Sequence, residues 1–258
     1  MDVHIPPVIE GDPLRVSASG YVTWKQCPER AAARYRGIFG KPSRPGFKGT
    51  LAHQIFRRHL TKGPISEEEF SQACREEIGS SGLSQQMGEL GLRPSDVREI
   101  IGEVQSLYRR FVAFPEDGFE GAEVELSYET EPDLELYGRI DAVYRPEEGG
   151  HRLVDWKTGE LGDPNDQLLF YGLLWALAKG ELPVEVVAVS VATGERFERG
   201  PERADLERVA DEVADLVNAM RRSWAEGSEL ERRAGPWCRY CPILEECPEG
   251  QAAEALLG

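Results

Sequence analysis

The chain has 258 residues, 40% hydrophobic and 29% charged, with a formal net charge of −16. That suits a soluble globular protein with a sizeable core, organised as one large domain or two small ones. No apolar run approaches the roughly 20 residues of a membrane helix, and MDVHIPPVIEGDP lacks the basic and apolar stretches of a signal peptide, so a cytoplasmic location without a membrane partner is expected. The negative total argues against a nucleic-acid partner; its distribution does not. Residues 13–62 hold eleven Lys or Arg and a single acid, Glu29, a net +10 that leaves −26 for the remainder. A solvated basic helix face is the plain explanation. A grip on phosphates, with Arg34, Arg36 and Lys41 in its middle, is the functional one.

In chain order, the first half reads as helical. A helix is expected over 19–37, broken or kinked at Pro28 and stopped at Gly37. A second runs over 46–60 with Leu51, Ile55 and Phe56 on one side. A third starts after Ser66, which stands at capping-box spacing from Glu69. Residues 79–82 look like a loop, and a fourth helix covers 95–114 before Pro115. Then the period changes to two. GAEVELSYET alternates as a half-buried strand, LELYGRIDAVYR forms a second strand, and HRLVDWKT a third after a Glu148-Gly149-Gly150 turn. Asp163 and Pro164 open a helix, QLLFYGLLWALAKG, that is apolar nearly all round and should be buried. PVEVVAVSVAT is a fourth strand. Over 201–226 an amphipathic helix places Leu206, Val209, Val213, Leu216, Val217 and Met220 at helical spacing. The order implies an α/β fold: a mixed sheet flanked by helices, with a helical N-terminal half.

The strands carry the candidate chemistry. Asp155 and Lys157 are two apart and share a strand face, with Trp156 on the other. If the second and third strands form a hairpin, Asp141 reaches the same place. Two carboxylates converging at a sheet end make a hard, oxygen-rich site suited to Mg²⁺ or Mn²⁺. An exposed salt-bridge ladder would use the same three residues.

GRIDAVYR followed by LVDWKTG resembles the core of PD-(D/E)XK nucleases in their RecB-like branch. The resemblance implies a restriction-endonuclease-like fold with Asp141 and Asp155 as the acids and Lys157 as the lysine. It also implies an upstream helical histidine as a metal ligand, supplied by His53 in GTLAHQIF, and a catalytic glutamine–tyrosine pair, supplied by Gln167 and Tyr171 in QLLFY. That branch often has a glutamate on the preceding strand. Glu123 and Glu125 both qualify, and the VELSY spacing favours Glu125. Without the family, His53 reads as an ordinary polar helix residue.

Five cysteines, an odd number, speak against a disulfide framework. Cys238-x-x-Cys241-x₅-Cys247 can grip a metal, Cys27 can complete the set, and Cys74 reads as a buried thiol on a helix. Spacing alone leaves zinc and iron–sulfur open. A lone cysteine near the start and this motif near the end, flanking a RecB-like core, resemble the iron-staple nucleases, which include the AddB nuclease domain and the CRISPR-associated RecB-like nucleases. The resemblance implies a 4Fe–4S cluster on Cys27, Cys238, Cys241 and Cys247, joining the ends of one composite domain over 1–258. Its parts are a basic helical segment (13–115), a catalytic core (120–226) and the cysteine motif (236–248).

The leading expectation is therefore a metal-dependent DNA nuclease: a single-strand-preferring exonuclease acting in repair, recombination or CRISPR adaptation, beside a helicase or CRISPR adaptation proteins. Trp24 and Tyr35 could stack on bases, though core packing suits each. The alternatives are a non-catalytic iron–sulfur DNA-binding subunit of a repair complex, and a zinc-stapled interaction protein.

Overall fold

The computed structural model describes residues 3–257. A short strand β1 (Leu14–Ser17) leads into α1 (Ala18–Gln26) and α2 (Pro28–Tyr35), with the break at Cys27. Pro28 takes the first helical position of α2, where its missing N–H costs nothing. The helices α3 (Arg44–Lys62), α4 (Glu67–Ser80), α5 (Leu83–Glu89) and α6 (Pro94–Phe111) follow. Ser43 and Ser66 cap α3 and α4 by accepting from Gly46 N and Glu69 N. The expected loop at 79–82 is shorter than its composition suggested, because Gly79 and Ser80 continue α4 and α5 starts at Leu83. The fourth helix ends at Phe111 rather than Phe114.

The strands β2 (Phe119–Thr130), β3 (Leu134–Tyr144), β4 (Arg152–Lys157), β5 (Glu185–Ser190) and β6 (Arg196–Arg199), with β1, form one mixed six-stranded sheet. Between them come α7 (Asn165–Lys179), α8 (Arg203–Glu226), two short 3-10 turns in the cysteine segment, and α9 (Pro248–Leu257). Where β3, β4 and β5 pair, alternation divides the strands between two cores. Val143, Leu153, Val186 and Ala188 join a core roofed by α1, α7 and α8; Ala142, Val154, Trp156, Val187 and Val189 join one roofed by α3, α4 and α6.

The pairing of β3 creates the feature that matters most. On one edge it pairs with β2 along its whole length. The other edge is shared: β1 runs parallel to Leu134–Tyr137, and β4 runs antiparallel to Ala142–Tyr144. The β3–β4 ladder stops at Ala142↔Val154, one step before Asp141 and Asp155 would oppose each other. The sheet therefore forks at residues 138–141. Gly138 stands in the fork because a side chain there would meet Leu174 Cδ2 at 3.0 Å and the Tyr171 ring at 3.2 Å. Its absence lets α7 close on the sheet.

Candidate active site

The fork opens into a cleft of about 950 Å³. Asp141 Oδ2 accepts a 2.7 Å hydrogen bond from Trp156 N, in place of the ladder bond that the parted strands no longer make. Asp155 is 5% exposed. It and Lys157 project toward α7, as their spacing required. Lys157 Nζ lies 2.8 Å from Asp155 Oδ2 and donates to Gln167 Oε1 at 2.7 Å. Gln167 Nε2 donates to Asp155 Oδ1 at 2.9 Å and to the Tyr171 hydroxyl at 3.2 Å. Gln167 and Tyr171, one turn apart on α7, thus lock the acid and the lysine in place.

From α3 on the opposite side, His53 Nδ1 comes within 3.3 Å of Asp141 Oδ1. Ligand atoms of His53, Glu123 and Asp141 all lie within 4.8 Å of one another. The sequence favoured Glu125 as the additional acid. Glu125 is exposed and only lines the cleft, whereas Glu123 is the acid drawn into this group. Glu123 stands opposite Asp141, between the pairs Ala122↔Ala142 and Val124↔Ile140, and has φ 53°, in the left-handed region. Arg139 Nε balances it from 2.5 Å.

The electrostatics record a surplus of negative charge. Burial pushes the Asp155 carboxyl up to about 6, and the neighbouring Asp141 charge adds to the shift against Lys157 and His53. Burial and Asp141 likewise raise Glu123, against Arg139. For His53, burial disfavours the charged ring, but Asp141, Asp155 and Glu123 together outweigh it, so its pKa is raised. Asp155 Oδ2 and Glu123 Oε2 are buried without a well-directed hydrogen bond. The carboxylates of Glu123 and Asp141 and the His53 imidazole, with the Asp155 charge beside them, form a donor set that fits a hard divalent cation, which would supply the missing positive charge.

The basic segment looks different in three dimensions. Arg15 pairs with Glu135, Lys25 with Glu212, Arg44 and Lys48 with Glu103, Arg57 with Glu77 and Arg58 with Glu76. Arg36, an expected DNA contact, is exposed and pairs at 2.6 Å with the buried Glu29. Much of the +10 is neutralised by acids from elsewhere in the chain, an outcome that local charge counting does not reveal. Arg34 and Lys41 are exposed, and neither faces a carboxylate at ion-pair distance among the described residues. Trp24 and Tyr35 are partly buried against the first core.

Cys27 meets the C-terminal cysteine segment: its Sγ accepts from Arg233 N at 3.4 Å, and Glu29 N bonds Glu231 O at 3.1 Å. Cys238 and Cys247 Sγ both lie beside Gly250, and the Cys241 thiol is raised first by burial, then by the nearby Cys27 and Cys238. Among the described residues, no three of the four sulfurs lie within 4.8 Å of one another. Cys74 is elsewhere, fully buried among the helices, where burial pushes its thiol up to about 12.

No curated protein matches this chain. Among solved structures it is similar to SSO0001, at 17% identity and a TM-score of 0.35, covering 78% of this chain and 96% of that one. It is also similar to VC1899 from Vibrio cholerae, at 14% identity and a TM-score of 0.24, covering 73% of this chain and 57% of that one. No helix among the described residues is long and apolar enough to cross a membrane. A family model for the PD-(D/E)XK nuclease superfamily matches residues 15–248 and so spans nearly all of β1, the forked sheet, the cleft, Cys27 and the Cys238–Cys247 segment. The chain belongs to the PD-(D/E)XK nuclease superfamily, whose members are usually metal-dependent nucleases that hydrolyse phosphodiester bonds.

Proposed function

We propose that this chain is a deoxyribonuclease that cuts single-stranded DNA from an end, as one composite domain whose cysteine segment holds a 4Fe–4S cluster. The observation that carries the nuclease reading is the convergence of His53, Glu123 and Asp141 beside the Asp155–Lys157–Gln167 network. The preference for single strands and ends, and the setting in repair, recombination or CRISPR adaptation with a helicase or adaptation proteins, follow the resemblance of GRID, VDWKTG and the cysteine spacing to the RecB-like branch.

His53, Glu123, Asp141 and Asp155 would hold Mg²⁺ or Mn²⁺. Such an ion, when bound, lowers the pKa of its water and offsets charge developing on the phosphate. The chain's own groups do the positioning. Lys157, fixed between Asp155 and Gln167, directs its ammonium at the attacking water and stabilises charge on the phosphoryl oxygens. Gln167 keeps Lys157 from collapsing onto Asp155 alone, and Tyr171 fixes the amide. For the cysteines, the resemblance of their spacing to that of the iron-staple nucleases favours a polynuclear cluster over a single zinc ion.

The first test is Asp155→Ala and Lys157→Ala. Each is expected to abolish cutting of single-stranded DNA in Mn²⁺, with binding retained. Cutting at the wild-type rate by either variant overturns the assignment.

A further inference from the structure

Exposed aromatic rings and uncommitted cations coincide beside the cysteine segment. Phe39 is 64% exposed and Tyr240 70% exposed. With Arg30 and Arg34 they line one groove of about 160 Å³. The Arg34 guanidinium lies 5.7 Å from the Phe39 ring centroid, and that of Arg239 lies 5.9 Å from the Tyr240 centroid. Arg30, Arg34, Lys41 and Arg239 have no carboxylate at ion-pair distance among the described residues. In a chain of net charge −16, whose other basic side chains largely face acids, such a patch stands out. Two bare rings ringed by cations fit a polyanion with exposed flat faces. A single-stranded nucleic acid has both, whereas a duplex hides its base faces.

The patch is also contiguous with the cleft. Arg34 donates to Ser19 Oγ at 3.3 Å, and Ser19 lines the cleft wall just past β1. Tyr240 stands between Cys238 and Cys241, and its backbone oxygen approaches the Gly40 position. The cysteine segment therefore holds one ring of the pair while the α2–α3 connection holds the other.

We propose that Phe39 and Tyr240 form a stacking platform for bases of a single strand whose scissile phosphate lies in the cleft, with Arg34 bridging the two. This rests on the nuclease reading of the cleft. The probe is a fluorescently labelled 20-nucleotide oligodeoxythymidylate, titrated without divalent metal so that nothing is cut. Phe39→Ala and Tyr240→Ala are each expected to weaken binding roughly fivefold or more, the range in which one lost base–aromatic stack falls. Phe39→Tyr and Tyr240→Phe should restore it. A 2-aminopurine in the strand should be quenched by the wild type and not by the double alanine variant. Both rings are exposed, so melting temperature should move by less than about 2 °C.

A double variant that binds within twofold of the wild type, with the quenching intact, overturns the platform and leaves the patch to a protein partner. An equal loss on a duplex overturns it too, because stacking on a duplex is not available. A wild type that binds no single strand does the same. A wild type that binds through the two rings but never cuts in Mn²⁺ overturns only the nuclease reading, and one that cuts while the double variant binds normally overturns only the platform.

Discussion

Glu123 has a backbone conformation that side chains avoid, in the middle of a long strand. The left-handed region costs a non-glycine residue on the order of 1 kcal/mol, and glycine would remove that cost. The kink falls at the residue whose carboxylate lies beside His53 and Asp141. Glu123→Gly is therefore expected to hold or raise the melting temperature while lowering cutting by about tenfold or more, because even outer partners of metal ligands typically cost that much. Glu125→Gln, changing an exposed side chain on the cleft wall, should cut near the wild-type rate. Calorimetry and initial rates in Mn²⁺ read both effects, and a Glu123→Gly protein that cuts normally removes Glu123 from the site. That Asp141, Asp155, Lys157, Gln167, Tyr171 and His53 meet in one cleft was legible because short motifs carry them. The choice between Glu123 and Glu125 was not, since a period of two treats them alike. Only the register signals it: continuing the pairing Ala122↔Ala142 by one step sets Glu123 opposite Asp141.

Helix α8 grips α1 through one carboxylate. Glu212 accepts from Lys25 Nζ at 2.8 Å, from Arg208 at 2.9 Å, and from the Tyr21 hydroxyl. Burial opposes its charge, but these three donors outweigh burial and hold its pKa below the usual value. A depressed folded-state pKa means that the stabilisation is full at neutral pH and fades as the pH falls below about 4. The group is partly exposed, so Glu212→Gln should cost about 1 kcal/mol at pH 7, or about 2–4 °C in melting temperature. Melts at pH 7 and pH 3 check this: a gap between variant and wild type that persists undiminished at pH 3 contradicts the linkage. Long elements with a steady period, such as α6, α7, α8, β3 and β5, could be read from the residues alone. The four-residue strands β1 and β6 could not. LRVS gains its strand character only by pairing with Leu134–Tyr137, about 120 residues away. That distant contact is also what completes the fork, so the motif residues were visible in sequence but the gap between their strands was not.

At the scale of the molecule, the two hydrophobic cores leave one part uncovered. Neither contains a residue beyond Leu230, so residues 236–257 form a lobe of short turns and one helix without a core of its own. Units that small need a metal or another cross-link to stay ordered. The segment leading into the lobe meets the rest of the chain near Cys27, where Leu230 N bonds Glu29 Oε2 at 2.8 Å and Arg233 reaches the Lys25 carbonyl at 3.3 Å. A cluster joining Cys27 to Cys247 would close a loop of some 220 residues, and in the chain-entropy model such a link is worth about 5 kcal/mol. By contrast, α1 and α2 are anchored independently, with Tyr21, Ala31 and Ala32 in the first core. The two sides of the link should therefore fail unequally. Protein purified without oxygen is expected to be brown, with about four irons per chain. Cys27→Ala should lose the colour and release the C-terminal lobe first, so that trypsin cuts at Arg232, Arg233 and Arg239 far faster than in the wild type, while α1 and α2 resist. Cys74→Ala should keep colour and resistance, though loss of a buried thiol from the helical core can lower the melting temperature. Stoichiometric zinc without iron in anaerobic protein would replace the cluster but keep the link. A metal-free protein whose lobe resists trypsin as well in Cys27→Ala as in the wild type would dispose of both.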